Sequence, residues 1–209
     1  MVRVKGPLFS QSASGTLGGA ITFSVWKGRA LVRSHAVPSN PRSALQIATR
    51  AMMTFLSMSW RELTTTQKDL WIPQAAAISV SPFNAYVKSN MKRFTQFDGP
   101  QVVPSPSAST AASMGTLTPV GGIKQIDWSQ AVTTPNDMTG ILVAMSTTSG
   151  FTPSRSNIVQ ARYGTTSPVA GVITTLAAGT YYVRTASLQE DGTIGTFVTE
   201  SSGIVVTTS

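Results

Sequence analysis

Alternating apolar and polar residues predict a β-hairpin near the start of the chain. Residues 21–25 alternate isoleucine, phenylalanine and valine with threonine and serine, as a strand with one buried face does. Lys27 and Gly28 supply the turn, and residues 29–37 return as a second strand. Because a lone hairpin is only marginally stable in water, we expect it to pack on the helices that follow or on a partner.

The spacing of apolar residues then changes to the three-to-four-residue period of an amphipathic helix. Asn40 as the N-cap and Pro41 at the first helical position predict where this helix begins, and it is expected to end near Glu62. Its apolar stripe comprises Leu45, Ala48, Met52, Leu56 and Trp60.

Two further helices are predicted in the first half. Thr64 and Gln67 have the spacing of a capping box, and Pro73 indicates that the helix they open is short or kinked. Ser81 and Pro82 open another helix, which ends in a basic turn. Together with the hairpin, these segments predict an α+β N-terminal domain over residues 1–98, a β-hairpin followed by about three helices.

The second half has the short strands and turns of an antiparallel β-sandwich. Asp191 and Gly192 are typical of a hairpin turn, and Trp128 with Tyr181 or Tyr182 is expected in the core. Seven candidate strands lie at residues 121–129, 140–147, 156–163, 171–176, 179–189, 195–201 and 203–208. The uncharged segment 99–115 is rich in Pro, Ser and Ala. It predicts a linker there and an all-β sandwich over residues 116–209.

Positive charge is concentrated in the first half of the chain. The 209 residues have a net charge of +8, from 16 Lys and Arg against 8 Asp and Glu. Residues 1–100 contain twelve of these basic residues and three of the acids, and residues 101–209 contain four and five, so the halves have charges of +9 and −1. This asymmetry predicts an acidic partner for the first half, either nucleic acid or the acidic surface of a protein assembly.

No set of residues has the pattern of a catalytic or metal site. The sequence has no cysteine and a single histidine, His35, which we expect on a strand surface. Asp191 is explained by its turn, and the other acids after residue 100 lack the spacing of a calcium-binding loop. A weak calcium site is the alternative for these acids. Neither a Walker loop nor a Gly-x-Ser-x-Gly elbow is present. We therefore expect a protein that is not an enzyme and that needs no cofactor or metal.

The start of the chain does not have the pattern of a signal peptide. Residues 1–15 lack the required apolar stretch, and no run approaches the roughly 18 apolar residues of a membrane span. We expect a soluble protein that is made in a cytoplasm and has no membrane partner.

Basic residues around the hairpin give the strongest functional signal. We expect the docking face to comprise Lys27, Arg29, Arg33 and Arg42, within a larger basic set that adds Arg3, Lys5, Arg50, Lys88, Lys92 and Arg93. These charges fit docking on an acidic protein lattice, binding to nucleic acid, or an unspecialised solvated surface. Aromatic residues are sparse among them, and there is no helix-turn-helix or zinc-finger pattern, so we favour protein docking.

Several spaced features of the first half resemble a family of small virion-associated proteins of tailed bacteriophages and prophages. The features are TFSVWKGRALVRSHAVPSNPRSALQIATR at residues 22–50, LTTTQKDLW at residues 63–71 and SPFNAYVKSN at residues 81–90. The resemblance covers about residues 15–98. It implies a structural protein of a virus particle.

The second half resembles fibronectin type III and related immunoglobulin-like domains. The segment IDWS at residues 126–129 matches the strand with the core tryptophan, and residues 176–197 match the pair of strands near the end of such domains. The resemblance covers roughly residues 116–208. It implies an immunoglobulin/fibronectin III-like sandwich used for display, and the fold does not by itself decide the role.

Together, the two resemblances imply a non-enzymatic bacteriophage virion protein, made in the host cytoplasm and located in the particle. We expect a capsid decoration or head-fibre protein that docks through its basic N-terminal domain and displays the sandwich. Its expected partners are the major capsid protein or neck and tail proteins, and we expect a homo-oligomer. The alternatives are a neck or tail component at low copy number and a virion-packaged nucleic-acid-binding protein.

Overall fold

The chain forms two compact units, Met1–Pro41 and Arg42–Ser209. A computed structural model describes residues 2–3, 14–37 and 42–208 of the two units. The division follows the predicted hairpin and falls directly after Pro41, the first residue of the first predicted helix.

The first unit contains a four-stranded antiparallel sheet. Its strands lie in the order β1-β4-β3-β2, with bounds β1 (Val2–Arg3), β2 (Gly15–Leu17), β3 (Ile21–Trp26) and β4 (Arg29–Ser34). The predicted hairpin is the centre of this sheet. Strands β3 and β4 are joined at Lys27 and Gly28, which both have the positive φ that tight hairpin turns require. The strands β1 and β2, which the alternation did not predict, extend the hairpin on its two sides.

Four helices open the second unit, rather than three. They are α1 (Ala44–Glu62), α2 (Thr65–Asp69), α3 (Ile72–Ala77) and α4 (Pro82–Thr95). Helix α1 begins after Ser43, and the predicted start at Asn40 and Pro41 lies outside the described residues. The hydroxyl of Ser81 accepts a hydrogen bond from the backbone N–H of Asn84, which caps α4 as the sequence predicts.

The predicted capping box starts α2. The backbone N–H of Thr64 donates to the side-chain oxygen of Gln67 at 2.8 Å, and the Gln67 N–H donates to the Thr64 hydroxyl at 3.3 Å. This helix ends at Asp69, and Pro73 lies in the first turn of α3, where a missing N–H removes no helical hydrogen bond. The second predicted helix is therefore two short helices.

Two antiparallel sheets follow, in a sandwich-like arrangement. The three-stranded sheet has the order β5-β6-β9 and the four-stranded sheet has the order β11-β10-β7-β8. The bounds are β5 (Ser113–Gly122), β6 (Gln125–Thr134), β7 (Met138–Ser146), β8 (Ile158–Tyr163), β9 (Val169–Thr174), β10 (Gly179–Gln189) and β11 (Ile204–Val206). Ile126 and Trp128 of β6 pack with Ile141 and Val143 of β7 in the core between the sheets.

The helices form a third layer on the outer face of the four-stranded sheet. Met52 and Phe55 of α1 share a hydrophobic core with Leu142 and Ala144 of β7 and with Leu188 of β10. Successive residues of a strand point to opposite faces, so β7 is buried on both sides. The order of layers in the second unit is therefore helices, four-stranded sheet and three-stranded sheet.

The structure differs from the predicted division of the chain at residues 99–115. The carbonyl oxygen of buried Val102 accepts a hydrogen bond from Trp71 Nε1 at 3.0 Å, and Asn90 exchanges two hydrogen bonds with the backbone of Gln101. The last residues of the segment begin β5. Helices, segment and sandwich thus belong to one compact unit, because the helices and the four-stranded sheet bury their apolar surfaces against each other.

The sixth predicted strand, residues 195–201, is irregular. It runs beside β10 through hydrogen bonds from Gly195, Val198 and Ser201 to carbonyl groups of β10, and it includes no regular strand. The turn at Asp191 and Gly192 is present before it, closed by a bond from the Gly192 N–H to the Gln189 carbonyl.

Candidate docking surface

The sheet of the first unit has a basic face and an apolar face. The register of the hairpin pairs Arg29 with Trp26 and Arg33 with Thr22, so these four side chains lie on one face, and both arginines are exposed. The opposite face carries Leu17, Ile21, Phe23, Val25, Ala30 and Val32. The alternation that predicted the hairpin therefore places the two arginines on one face, which also carries Trp26 and Leu31, and a continuous apolar set on the other.

Lys27 adds a third positive charge at the tip of the hairpin. Its Nζ lies 4.9 Å from the centroid of the Trp26 ring, in cation–π geometry. The Trp26 side chain is 60% exposed, so the pair lies in solvent. His35 is also exposed, with its Nδ1 3.2 Å from the hydroxyl of Thr22.

Arg42, the fourth predicted docking residue, belongs to the second unit. Its φ is 49°, and its Nη2 donates a hydrogen bond of 3.4 Å to the hydroxyl of Thr175. The predicted docking set is therefore distributed over both units, and a joint docking face remains a prediction. The side chains of Arg3 and Lys5 lie outside the described residues.

Arg42 lines a groove on the second unit, beside two sheet edges. Two adjoining cavities of about 390 and 290 Å³ share Arg42, Ile47, Val159 and Gln160. We call this the β8 groove. It is defined by Arg42, Ile47, Arg50 and Met58 on the helical side, by residues 159–162 of β8, and by residues 172–176 in and after β9.

The β8 groove is positively charged. Arg42, Arg50 and Arg162 line it and are exposed, and no Asp or Glu is among its lining residues, all of which are described. Apolar side chains, among them Ile47 and Val159, complete the walls. The charge pattern of the sequence identified Arg42 and Arg50, but not Arg162 or the groove, which forms from segments more than 100 residues apart.

Gln160 connects the two sheets at the floor of the groove. Its Oε1 accepts a hydrogen bond of 2.7 Å from Trp128 Nε1, and its Nε2 donates to the carbonyl of Val172 at 3.4 Å. The side chain is thereby fixed between the core of the sandwich and the edge of β9. Gly171 lies beside it, where a Cβ atom would come 2.9 Å from Gln160 Oε1.

Some basic residues stabilise the fold instead of lining a surface. Arg93, a member of the predicted basic set, donates to the carbonyl groups of Gly99 and Gly192 at 2.9 and 3.0 Å. Arg184 lies 3.5 Å from Glu200 and above the ring of Phe151. These contacts hold loops against the sandwich and give Arg93 a structural role.

Two acids near the irregular segment, Asp137 and Asp191, also bind backbone groups. Asp137 accepts a hydrogen bond from the Thr110 N–H at 2.7 Å, and Asp191 accepts one from the Ser109 N–H at 3.0 Å. Burial and the neighbouring Asp137 charge raise the pKa of Glu190. Burial opposes ionisation of Asp191 too, but hydrogen bonds from Ser109 and Thr193 and the charge of Arg93 outweigh it and lower its pKa.

Within the described ranges, no three His, Cys, Asp or Glu side chains form a group that could hold a metal ion. Among the same residues, no helix combines the length and hydropathy needed to cross a membrane.

Comparison with known proteins gives two partial structural similarities. No family model matches the chain, and no curated protein matches it. A β-1,2-glucanase from Parabacteroides distasonis is 14% identical with a TM-score of 0.35, over 50% of this chain and 13% of the glucanase. The PKD domain of an M14-like peptidase from a Thermoplasmatales archaeon is 17% identical with a TM-score of 0.30, over 48% of this chain and 99% of that domain.

Proposed function

We propose that this protein is a non-enzymatic structural component of a bacteriophage particle, a capsid decoration or head-fibre protein. The observation behind the proposal is the basic face of the first unit, where Lys27, Arg29 and Arg33 are exposed together on a small amphipathic sheet. Such a face suits the acidic surface of a protein assembly. We take the partner to be a virus particle because features of residues 15–98 resemble virion-associated proteins.

The sandwich is inferred to be of the fibronectin type III kind, used for display. Three features support this inference: the strand orders β5-β6-β9 and β11-β10-β7-β8, buried Trp128 on β6, and a tyrosine corner. In that corner, the hydroxyl of Tyr181 donates to the carbonyl of Ala177 at 3.0 Å, near the start of β10. The helical layer is an addition to this two-sheet pattern.

Docking is expected to be multivalent. Each exposed charge pair contributes little alone, about 0–1 kcal/mol, so stable attachment requires several contacts or several linked subunits. A homo-oligomer at a symmetry axis of the particle would multiply the basic faces, with the major capsid protein or a neck or tail protein as partner.

Charge reversal tests the docking face. Changing Lys27, Arg29, Arg33 and Arg42 to Glu is expected to abolish association with particles lacking the protein, because each contact with an acidic lattice becomes repulsive. The matched control reverses Arg61, Lys88, Lys92 and Lys124, which are also exposed, and should retain association. Circular dichroism of both variants checks the fold, and retained association of the first variant would contradict the assignment.

Copy number tests the place in the particle. Quantitative mass spectrometry of purified particles is expected to find hundreds of copies, as for capsid decoration. Six to a few dozen copies would instead favour the neck, the tail or a fibre vertex. Absence from particles, together with duplex DNA binding that persists at physiological salt, would replace the proposal with the nucleic-acid-binding alternative.

A further inference from the structure

Both walls of the β8 groove include the edge of a sheet. Within the part of the chain that the structure describes, β8 is the last strand of its sheet and pairs only with β7, and β9 is the last strand of the other sheet. Four consecutive residues of β8, Val159 to Arg162, line the groove. Neighbouring side chains of a strand point to opposite faces, so the edge of β8, rather than one of its faces, follows the groove.

Among the described residues, no second strand pairs with β8, so its outer edge is open over a short length. A bulge at Val159 interrupts the register with β7, but residues 160–163 pair regularly with it. On the outer side of such a strand, alternate N–H and C=O groups point away from the sheet and can pair with an added strand. The side chain of Gln160 does not use the edge of β8, because its Nε2 donates to the carbonyl of Val172 on β9.

The side chains around this edge define the chemistry of an occupant. Arg42, Arg50 and Arg162 favour carboxylate groups, while Ile47 and Val159 offer apolar contacts. A third cavity of about 200 Å³, also lined by Ile47 and Val159, continues the groove. Successive cavities beside a strand edge suit an extended segment whose side chains alternate between the two kinds of contact.

We propose that the β8 groove binds an extended acidic segment of a partner protein, which adds as a strand to the edge of β8. Only the source of the segment, a virion protein, rests on the proposed function. Backbone pairing supplies affinity, and the three arginines select acidic sequences. Arg42 thereby has a partner contact on the second unit.

Peptide binding to the full chain tests the site directly. The probe is a short, blocked peptide of alternating Glu and Val, and its control alternates Lys and Val. We expect the acidic peptide to bind at least about tenfold more tightly, and the R50E/R162E variant to lose at least about tenfold of that affinity. The matched variant K88E/K92E, on α4 outside the groove, should bind as the unchanged chain does. Equal affinity of the two peptides, or an unaffected R50E/R162E variant, would overturn the proposal.

Two further measurements separate strand addition from simple charge attraction. Hydrogen exchange of residues 158–163 should slow when the acidic peptide is bound. Acidic peptides N-methylated at either the odd or the even backbone amides should differ at least about tenfold in affinity, because one set of amides faces β8. Equal affinity of the two N-methylated peptides, together with unchanged hydrogen exchange of residues 158–163, would overturn strand addition.

The failure of this site can be distinguished from failure of the proposed function. If the acidic peptide does not bind and the R50E/R162E variant still associates with particles, this site is rejected and the proposed function stands.

Discussion

Gln130 joins the two sheets from a fully buried position. Its Nε2 donates to the carbonyl groups of Gly115 and Ala131 at 3.0 and 2.7 Å, and its Oε1 accepts from the hydroxyl of Thr185 at 2.6 Å. Thr185 is buried as well, so neither group can exchange its partner for water. Such a network stabilises a sandwich only while every member is paired.

Removing both sides of this network should cost less than the sum of the losses from removing each side alone. Gln130→Leu leaves the Thr185 hydroxyl and the Gly115 carbonyl unpaired, and is expected to lower the free energy of unfolding by about 2–3 kcal/mol. Thr185→Val should cost about 1–2 kcal/mol, because the Gln130 carbonyl then lacks its donor. The double variant should be less destabilised than the sum by at least about 1 kcal/mol. Urea unfolding measures all three, and strictly additive losses would show that the bond between the sheets is unimportant.

The alternation along β6 explains the face of Gln130 but not its partner, and Gln130 lies one residue beyond the predicted strand, residues 121–129. Gln130 follows Ile126 and Trp128 at a spacing of two, so alternation places it on the buried face of β6. Thr185 is 55 residues away, and no local pattern pairs the two.

At the scale of elements, local sequence signals predict turns and helix caps correctly, because a few neighbouring residues determine their geometry. The Lys27-Gly28 turn, the Thr64–Gln67 capping box and the Ser81 cap all stand at their predicted places. Local signals do not suffice where partners are distant: the first residues of β5 have the composition of a linker, and residues 195–201 are predicted as a strand but form an irregular segment. The sequence does contain one signal of the third layer, because the unbroken apolar run of β7 is typical of a strand covered on both faces.

The contact of α1 with the four-stranded sheet depends on a glycine. A Cβ atom added to Gly140 of β7 would overlap the carbonyl oxygen of Arg162 and lie 2.7 Å from Cε2 of Phe55 on α1. Helix and sheet can therefore approach this closely only with hydrogen at that position.

Gly140→Ala is accordingly expected to lower the free energy of unfolding by about 2 kcal/mol or more, because backbone and helix must both shift to admit the methyl group. Gly122→Ala is the matched control. Its new Cβ would meet chiefly the flexible side chain of Gln125, so a loss below about 1 kcal/mol is expected. Thermal or urea unfolding compares them. Equal stability of the two variants would show that α1 yields easily at this contact.

At the scale of the whole molecule, composition suggested a division that packing does not follow. The low charge and the Pro, Ser and Ala of residues 99–115 are typical of a linker, yet buried Val102 joins this segment to Trp71. The β8 groove likewise forms from segments that are distant in sequence. The charge pattern of the first half therefore identifies Arg42 and Arg50 but not the groove. The hairpin carrying Lys27, Arg29 and Arg33, in contrast, is a unit of its own.

Fragments of the chain test which division describes the stable unit. A fragment of residues 42–209 is expected to unfold in a single cooperative transition, because it keeps the helices, the segment and both sheets. A fragment of residues 99–209 loses the helices and exposes apolar side chains on the outer face of its four-stranded sheet: Leu142, Ala144, Ile158, Ala161 and Leu188. An exposed apolar surface of this kind favours aggregation or unfolding, so we expect no monomeric, cooperatively melting species. Size-exclusion chromatography with thermal melts followed by circular dichroism distinguishes the outcomes. A monomeric 99–209 fragment that melts near the temperature of the 42–209 fragment would show that the helices add little to the sandwich, and would restore the division that the sequence predicted.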